Sequence, residues 1–477
     1  MMGKSQLFEA RSQMPVDAEA VFAWHAREGA FQRLTPPWEP VEVVEKQGDG
    51  IREGTRLVLR MRVGPVPLQW TARHTRYIPG SLFQDMQESG PFARWVHTHR
   101  MWNEAAGGAV LEDDVEYALP VGTLGRVFGG GYARHRLERM FAYRHAVTRE
   151  DLRRHAAFAG HESLTVAVSG ASGLVGSALV PFLTTGGHRV RRLVRGQPGA
   201  GEIVWAPGQG EMDLIALEGV DAVVHLAGAP IAESRWTPEY KALIRRSRID
   251  GTRVLCESLA RLARPPRVLV SASAMGFYGS RGDEVLTESS SSGEGFLADV
   301  TREWEAATAP AEQAGIRVVH LRLGVVLSAR GGALAKMLHA FQAGGGGRLG
   351  NGKQWMSWVS LEDVIGLVHF ALFSEGMRGP VNAVAPNPVR QEELAWTLGQ
   401  VLSRPALFPL PATAVRALFG EMGQETLLVS SRVRPEVAEN QGFTFLHPSL
   451  EQALRFTLGK TTEGPRFRHG LTRSPLG

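Results

Sequence analysis

The stretch LTVAVSGASGLVG, Leu164 to Gly176, decides how this chain is read. It opens on an apolar run short enough for a buried strand, and the helical pattern Leu174 to Leu183 follows at once. Between them glycines stand at 170, 173 and 176. In this reading Gly170 permits a sharp turn, Gly173 lets backbone N–H groups approach a pyrophosphate, and Gly176 lets the helix lie close to the strand. The GxxGxxG spacing differs from the commoner GxGxxG, but the physics is the same. Further strand patterns at Arg189 to Val194, Ala222 to Leu226, Val268 to Ser271 and Val318 to Leu323 alternate with helical ones. That order predicts an α/β Rossmann-type doubly wound parallel sheet. A nucleotide is expected at its glycine turn and at HLAGA, His225 to Ala229.

The second strand selects among nucleotides. A carboxylate about 20 residues beyond the glycines would hold a ribose 2′-hydroxyl, but no Asp or Glu occurs from Gly170 to Gly201. The strand instead ends RVRRLVRG, offering Arg192 and Arg195. A guanidinium grips a 2′-phosphate that a carboxylate would repel, so the expected cofactor is NADP(H).

Upstream, residues 1–155 alternate short strand patterns with turns, as in Thr55 to Val63 (TRLVLRMRV) and Leu68 to Tyr77, and then turn helical from about Leu124 to Thr148. In that helix Leu137, Met140, Phe141 and Val147 are apolar, and Arg134, Arg136, Arg139 and Arg144 are expected to face water. His97 and His99 are two apart on a probable strand and share a face. With no third ligand near them in sequence, no metal site is expected. The polar stretch Asp151 to Glu162 is read as a linker. The divisions expected beyond it are a nucleotide domain over 163–385, a helical cap over 386–459 and a disordered tail over 460–477, whose apolar content is too low to pack.

At 477 residues the chain suits about three packed units of roughly 150 residues, and 43% hydrophobic with 21% charged residues is ordinary for a globular protein. The net charge of +5 rests on 47 arginines and reads as base composition rather than selection for a polyanion, so no nucleic-acid partner is expected. Cys256 is the single cysteine and cannot form an internal disulfide. The charge-free run Ser163 to Gly187 has the length of a membrane span, but it carries five glycines and seven hydroxyl residues. A cytoplasmic protein without a transmembrane segment is expected.

These features, with HLAGAPIAESRWTPEYKALIRRSRIDGTR (His225 to Arg253), SASAMGFYGSRGDEVLTE (Ser271 to Glu288), GEGFLADVTREWE (Gly293 to Glu305) and GRLGNGKQWMSWVSLEDV (Gly347 to Val364), resemble the extended short-chain dehydrogenase/reductase superfamily. Within it they resemble the epimerase-like family also described as cell-division inhibitor-like or sugar nucleotide epimerase-related, from about Leu164 to Leu454. The resemblance implies cofactor contacts at Gly170, Ser172, Gly173, Leu174, Val175, Gly176, Leu226, Ala227 and Gly228. It also implies a substrate side formed by GNGKQWMSW and the helical C-terminal part, with Trp355 and Trp358 read as packing residues. Thr237, Pro238 and Glu239 read as a helix start, and Arg245, Arg246 and Arg248 as its solvated face. Residues Gln6 to Asp151, opening with the strand Phe8 to Gln13 and PVDAEAVF (Pro15 to Phe22), resemble the START-like superfamily of polyketide cyclase and dehydrase relatives. That resemblance implies a sheet wrapped on a long helix around an apolar ligand cavity, with Trp38, Trp70, Phe83, Phe92, Trp95 and Trp102 as lining residues.

The chemistry departs from the superfamily. Active members carry a Tyr four residues before a Lys on one helix, the cation lowering the phenol pKa. Here the segment reads Phe296 to Val300 with apolar residues at both positions, and no lysine lies between Lys241 and Lys336. Four residues before Tyr278, where a hydroxyl is usual, stands Ala274. Ser273 and Tyr278 remain as the catalytic candidates, with Arg281, Asp283 and Glu288 weaker ones. Two readings follow: an atypical NADP(H) oxidoreductase or epimerase acting on an unidentified small molecule, or a non-catalytic NADP sensor or scaffold, perhaps linked to cell division.

Overall fold

The computed structural model describes residues 5–39, 41–63, 66–120, 122–461 and 464–471. They form two compact units, the first built from residues 1–162 with 184–187 and 458–477, the second from 163–183 and 188–457.

In the first unit, strands β1 (Gln6–Met14), β2 (Val41–Gln47), β3 (Arg56–Val63), β4 (Val66–Ile78), β5 (Leu82–Ser89), β6 (Arg94–Asn103) and β7 (Ala109–Ala118) build an antiparallel sheet ordered β2-β3-β4-β5-β6-β7-β1. Asp17 caps the helix Ala18–Ala26, accepting the N–H of Ala20. The period-2 pattern turns Phe8, Ala10, Ser12 and Met14 of β1 and Trp95, His97, His99 and Met101 of β6 inward. Against that face lies the helix Gly122–Ala156, burying Leu137, Phe141 and Val147.

Three expectations need correction here. The helix runs into the presumed linker, because Asp151 is buried and binds Arg33 in a two-point ion pair at 2.8 and 2.7 Å. Arg144 turns inward, donating to the Leu34 carbonyl and lying over the Phe141 ring. The tail is not all disordered either: Arg466–Leu471 pairs antiparallel with β1 and extends the sheet. Its apolar content is low because an edge strand packs one face only, and Phe467 does so against Phe8 at 5.5 Å between ring centroids. Residues 462–463 and 472–477 of that tail lie outside the described residues.

The second unit is the expected doubly wound sheet. Its strands β8 (Thr165–Ser169), β9 (Arg189–Val194), β10 (Ile203–Ala206), β11 (Glu211–Met212), β12 (Ala222–His225) and β13 (Val268–Ala274) run in the order β11-β10-β9-β8-β12-β13 and continue through Arg317–Leu323 to Gly379–Ala383. All neighbours are parallel except β10 and β11. Val166, Ala167 and Val168 of β8 have no exposed surface, as a strand covered on both faces requires. Strand order reverses between β8 and β12, which makes the carboxyl ends of these two strands the switch point where open α/β sheets bind ligands. No helix among the described residues is long and apolar enough to cross a membrane.

Replacing Phe467 by Ala should lower the stability of the first unit by about 2 kcal/mol. Denaturant unfolding that leaves that unit's transition unmoved would mean the last strand contributes nothing.

Candidate functional site

At the switch point the glycines act as their spacing predicts, each through a measurable contact. Gly170 has φ of +67°, and a Cβ there would lie 2.8 Å from the Leu226 carbonyl carbon. A Cβ on Gly176 would stand 2.2 Å from the Gly170 oxygen, so only glycine lets the helix Gly176–Thr185 start this close. Ser172 and Gly173 are exposed at the tip, with Leu174 and Val175 half-buried behind them. Leu226, Ala227 and Gly228 follow β12 on the other side of the crevice.

Below the loop lies a network that sequence reasoning missed. Leu226 and Ala227 donate their N–H groups to the Ser169 oxygen at 3.1 and 3.3 Å. With both lone pairs taken, the Ser169 hydroxyl donates to His225 Nδ1 at 2.7 Å. His225 Nε2 then donates to Thr252 Oγ1 at 3.0 Å, and Trp304 Nε1 donates to the same oxygen at 2.9 Å. This requires a neutral imidazole, and burial pushes the His225 pKa down to about 4. Because both N–H groups are already committed, Leu226 and Ala227 present only carbonyl and side-chain atoms to the crevice.

Cations surround the crevice. Arg192 and Arg195 at the end of β9 are exposed and make no ion pair among the described residues. Thr237 caps the helix Pro238–Leu259 as expected, and Arg245 pairs with Glu303 on its surface. Arg248, expected on the same solvated face, turns inward instead. It donates to the Ala229 carbonyl at 3.0 Å, lies 5.1 Å from the Trp304 ring centroid, and is pushed down to about 10 by burial.

The two catalytic candidates lie in a locked polar chain. Tyr278 has no exposed surface; its hydroxyl donates to Asn382 Oδ1 at 2.7 Å and accepts from Arg322 at 2.9 Å. Burial raises its pKa, opposed by Arg322. Ser273 donates to Glu305 at 2.5 Å, and Arg322 holds both Glu305 oxygens at 2.8 Å. Both candidate hydroxyls are thus buried and held in hydrogen-bond networks. Glu288 accepts from the Asn382 and Val437 N–H groups, and burial raises its pKa. At the superfamily's Tyr position, the Phe296 ring lies 5.1 Å from Trp236 and 4.5 Å from Lys241 Nζ, whose ammonium pairs with Glu421 at 2.7 Å. Lys241 comes from a neighbouring helix, so a search of the local sequence could not place it there.

A second pocket, of about 400 Å³, is lined by Asp283, Asn351, Lys353, Gln354, Arg390 and Arg416 among others. It joins the GNGKQ segment to the helix Ala412–Thr426. Trp355 lies between the Arg390 and Arg432 guanidinia, at 4.1 and 4.4 Å, and donates to Asp283, which also binds Arg390 at 2.8 Å. These bonds hold the Asp283 carboxyl below its ordinary range, that from Trp355 most. Arg281 pairs with Glu284. Trp358 is fully buried and donates to the Asn387 carbonyl, a packing residue.

In the first unit, Trp70, Phe92 and Trp95 pack on one another with ring centroids 4.8 to 5.8 Å apart. The inner face is not uniformly apolar, however. It carries a row of His74, Asp85, His97, His99 and Asp113, met by His145 of the helix, and all but Asp85 are buried. Despite burial, bonds to Asp113 and Asp85 push His97 up to about 9, while burial and the neighbouring His97 push His99 down to about 3. Across the sheet Asp85 comes close to both, the three side chains' ligand atoms lying within 4.8 Å of one another.

Comparison with known proteins agrees with this architecture. The model of the NAD dependent epimerase/dehydratase family matches residues 166–382, a domain of unknown function (DUF1731) matches 410–457, and the polyketide cyclase / dehydrase and lipid transport family matches 14–141. An epimerase family protein of Mycobacterium bovis is 45% identical over 292 residues, 61% of this chain and 96% of that protein. The chain belongs to the epimerase family. Among solved structures, the nucleoside-diphosphate sugar epimerase from Corynebacterium glutamicum is 35% identical with a TM-score of 0.78, covering 94% of this chain and 90% of that one. The human epimerase family protein SDR39U1 (isoform 2) with NADPH is 31% identical with a TM-score of 0.57, covering 62% and 99%.

Replacing Ser169 by Ala strands the Ala227 N–H, leaves the Leu226 N–H only its 3.3 Å bond to the Ser169 carbonyl, and should destabilise the second unit by about 1–3 kcal/mol. Above pH about 6.5 His225 is neutral folded or unfolded. As pH falls from there to about 4, only the unfolded chain takes up the proton, and up to about 3 kcal/mol of stability is lost. A His225→Gln chain should lose that part of the pH slope in unfolding titrations; an unchanged slope would refute the assignment.

Proposed function

We propose that the second unit binds NADP(H) and acts as an atypical oxidoreductase or epimerase on an anionic small molecule. The observation that carries this is the glycine turn at the switch point facing a second strand that ends in unpaired Arg192 and Arg195. Gly170, Ser172, Gly173, Leu174, Val175 and Gly176 hold the pyrophosphate side in this reading, Arg192 and Arg195 hold the 2′-phosphate, and Leu226, Ala227 and Gly228 line the opposite wall. The human relative solved with NADPH supports it. Lys353 and Arg416, which make no ion pair among the described residues, favour an anionic substrate in the second pocket. The likeness to a nucleoside-diphosphate sugar epimerase fits that charge.

A second reading, an NADP sensor or scaffold without turnover, is favoured by one observation: the candidate phenol, Tyr278, is sealed in the core. In either reading Tyr278 moves no proton. An apolar ligand in the first unit finds support in the family match there, and is qualified by the polar row on the inner face.

Calorimetry should show tighter binding of NADPH than NADH, and Arg195→Glu should weaken NADPH by at least tenfold while changing NADH little. Equal affinities in the wild type would remove the reading. Tyr278→Phe should cost about 1–2 kcal/mol of stability and leave cofactor affinity intact. Any NADPH-dependent turnover, assayed on carbonyl compounds and sugar nucleotides, should survive it; loss of turnover in a folded, cofactor-binding variant would make Tyr278 catalytic.

A further inference from the structure

The row on the inner face of the first unit is set by strand register. His74 of β4 stands opposite Asp85 of β5, Asp85 opposite His97 of β6, and His99 opposite Asp113 of β7. Directly opposed residues share a face, so two neighbouring strands, β5 and β6, deliver Asp85, His97 and His99 to one place. Asp85 Oδ1 lies 3.5 Å from His97 Nδ1 and 3.9 Å from His99 Nε2. Tetrahedral coordination with bonds near 2.1 Å separates ligand atoms by about 3.4 Å. The two separations from Asp85 are thus within about half an ångström of metal-ligand spacing, and the ligand atoms of all three residues lie within 4.8 Å of one another.

Asp113 lies behind both imidazoles. His97 Nε2 donates to Asp113 Oδ1 at 3.0 Å, whereas His99 Nδ1 stands 2.5 Å from the same oxygen without a hydrogen bond among the described residues. The other Asp113 oxygen is held by His145 Nε2 at 2.7 Å, and His145 Nδ1 is fixed by Ser12 at 2.9 Å. A carboxylate hydrogen-bonded behind His97, fixing which nitrogen faces the ion, is the outer-shell arrangement of a metal-binding histidine. His74 lies on the same row opposite Asp85; it is buried, and its Nδ1 has no hydrogen-bond partner among the described residues.

We propose that the first unit binds one divalent transition-metal ion, of the zinc class, through Asp85, His97 and His99, with Asp113 as the orienting carboxylate and the remaining position open to water. Two imidazoles and one carboxylate form a nitrogen and oxygen donor set that suits Zn(II), Co(II) or Fe(II) and offers no thiolate. Calcium and magnesium, which require oxygen ligands, are disfavoured. Asp113 and His145 are positioning residues here.

The test uses the full chain, stripped with a chelator and reloaded with Zn(II) or Co(II). Elemental analysis should find about one metal per chain, and Co(II) should give the visible ligand-field absorption of a four-coordinate site. Asp85→Asn should weaken uptake by about a hundredfold or more and His145→Gln by about tenfold, while the exposed-site control His161→Gln should bind as the wild type does. Crystals of the wild type soaked in Zn(II) should show an anomalous peak among Asp85, His97 and His99, which decides the matter even if a variant fails to fold. The proposal is overturned by a folded wild type that takes up no stoichiometric metal, by uptake unchanged in folded Asp85→Asn, or by an anomalous peak confined to other residues.

Discussion

At the switch point of the parallel sheet the backbone passes itself with no room for a methyl group. Gly170 turns under Leu226, and Gly176 starts its helix against the Gly170 carbonyl. This crowding brings β8 and β12 together so that the Ser169 hydroxyl lies beneath the loop that follows β12. Two backbone N–H groups saturate its oxygen, the proton has one direction left, and His225 is thereby fixed as a neutral acceptor. Thr252 and Trp304 extend the chain of bonds to two helices. The glycine loop therefore rests on a preset hydrogen-bonded floor that involves no ionised group.

Charge in the second unit is divided by depth. Inside, Glu305, Arg322, Tyr278 and Asn382 satisfy one another, while Glu288 accepts two backbone N–H groups on one oxygen and its other oxygen has no hydrogen-bond partner among the described residues. At the surface of the two clefts, Arg192, Arg195, Lys353 and Arg416 stand without acidic partners among the described residues. Such an arrangement suits holding phosphates more than abstracting protons, since an unpaired exposed guanidinium attracts anions at little desolvation cost. Asp283 is no exception, because Trp355 and Arg390 keep it anionic and engaged.

What the sequence revealed was local. A glycine turn between an apolar strand and a helix is written in consecutive residues, and β9 was found at its true bounds. The arginine ending of that strand was equally plain. Features that depend on which strand lies beside which were not legible. Asp85 becomes a neighbour of His97 only through cross-strand register, and Lys241 reaches Phe296 from another helix. Arg144 and Arg248 sit at helical positions that pattern alone assigns to solvent; a long stem lets each guanidinium find a buried carbonyl and an aromatic face instead.

The pairing of Gln6 with Leu471 joins strands from either side of the nucleotide unit in one sheet, so in sequence that unit is an insertion between neighbouring strands of the other. This has a consequence for biosynthesis. A ribosome delivers β1 long before its outer neighbour, and throughout translation of the intervening unit β1 displays an unpaired edge able to template association with other nascent chains. The sheet of the first unit is therefore completed only after the whole of the second has been made.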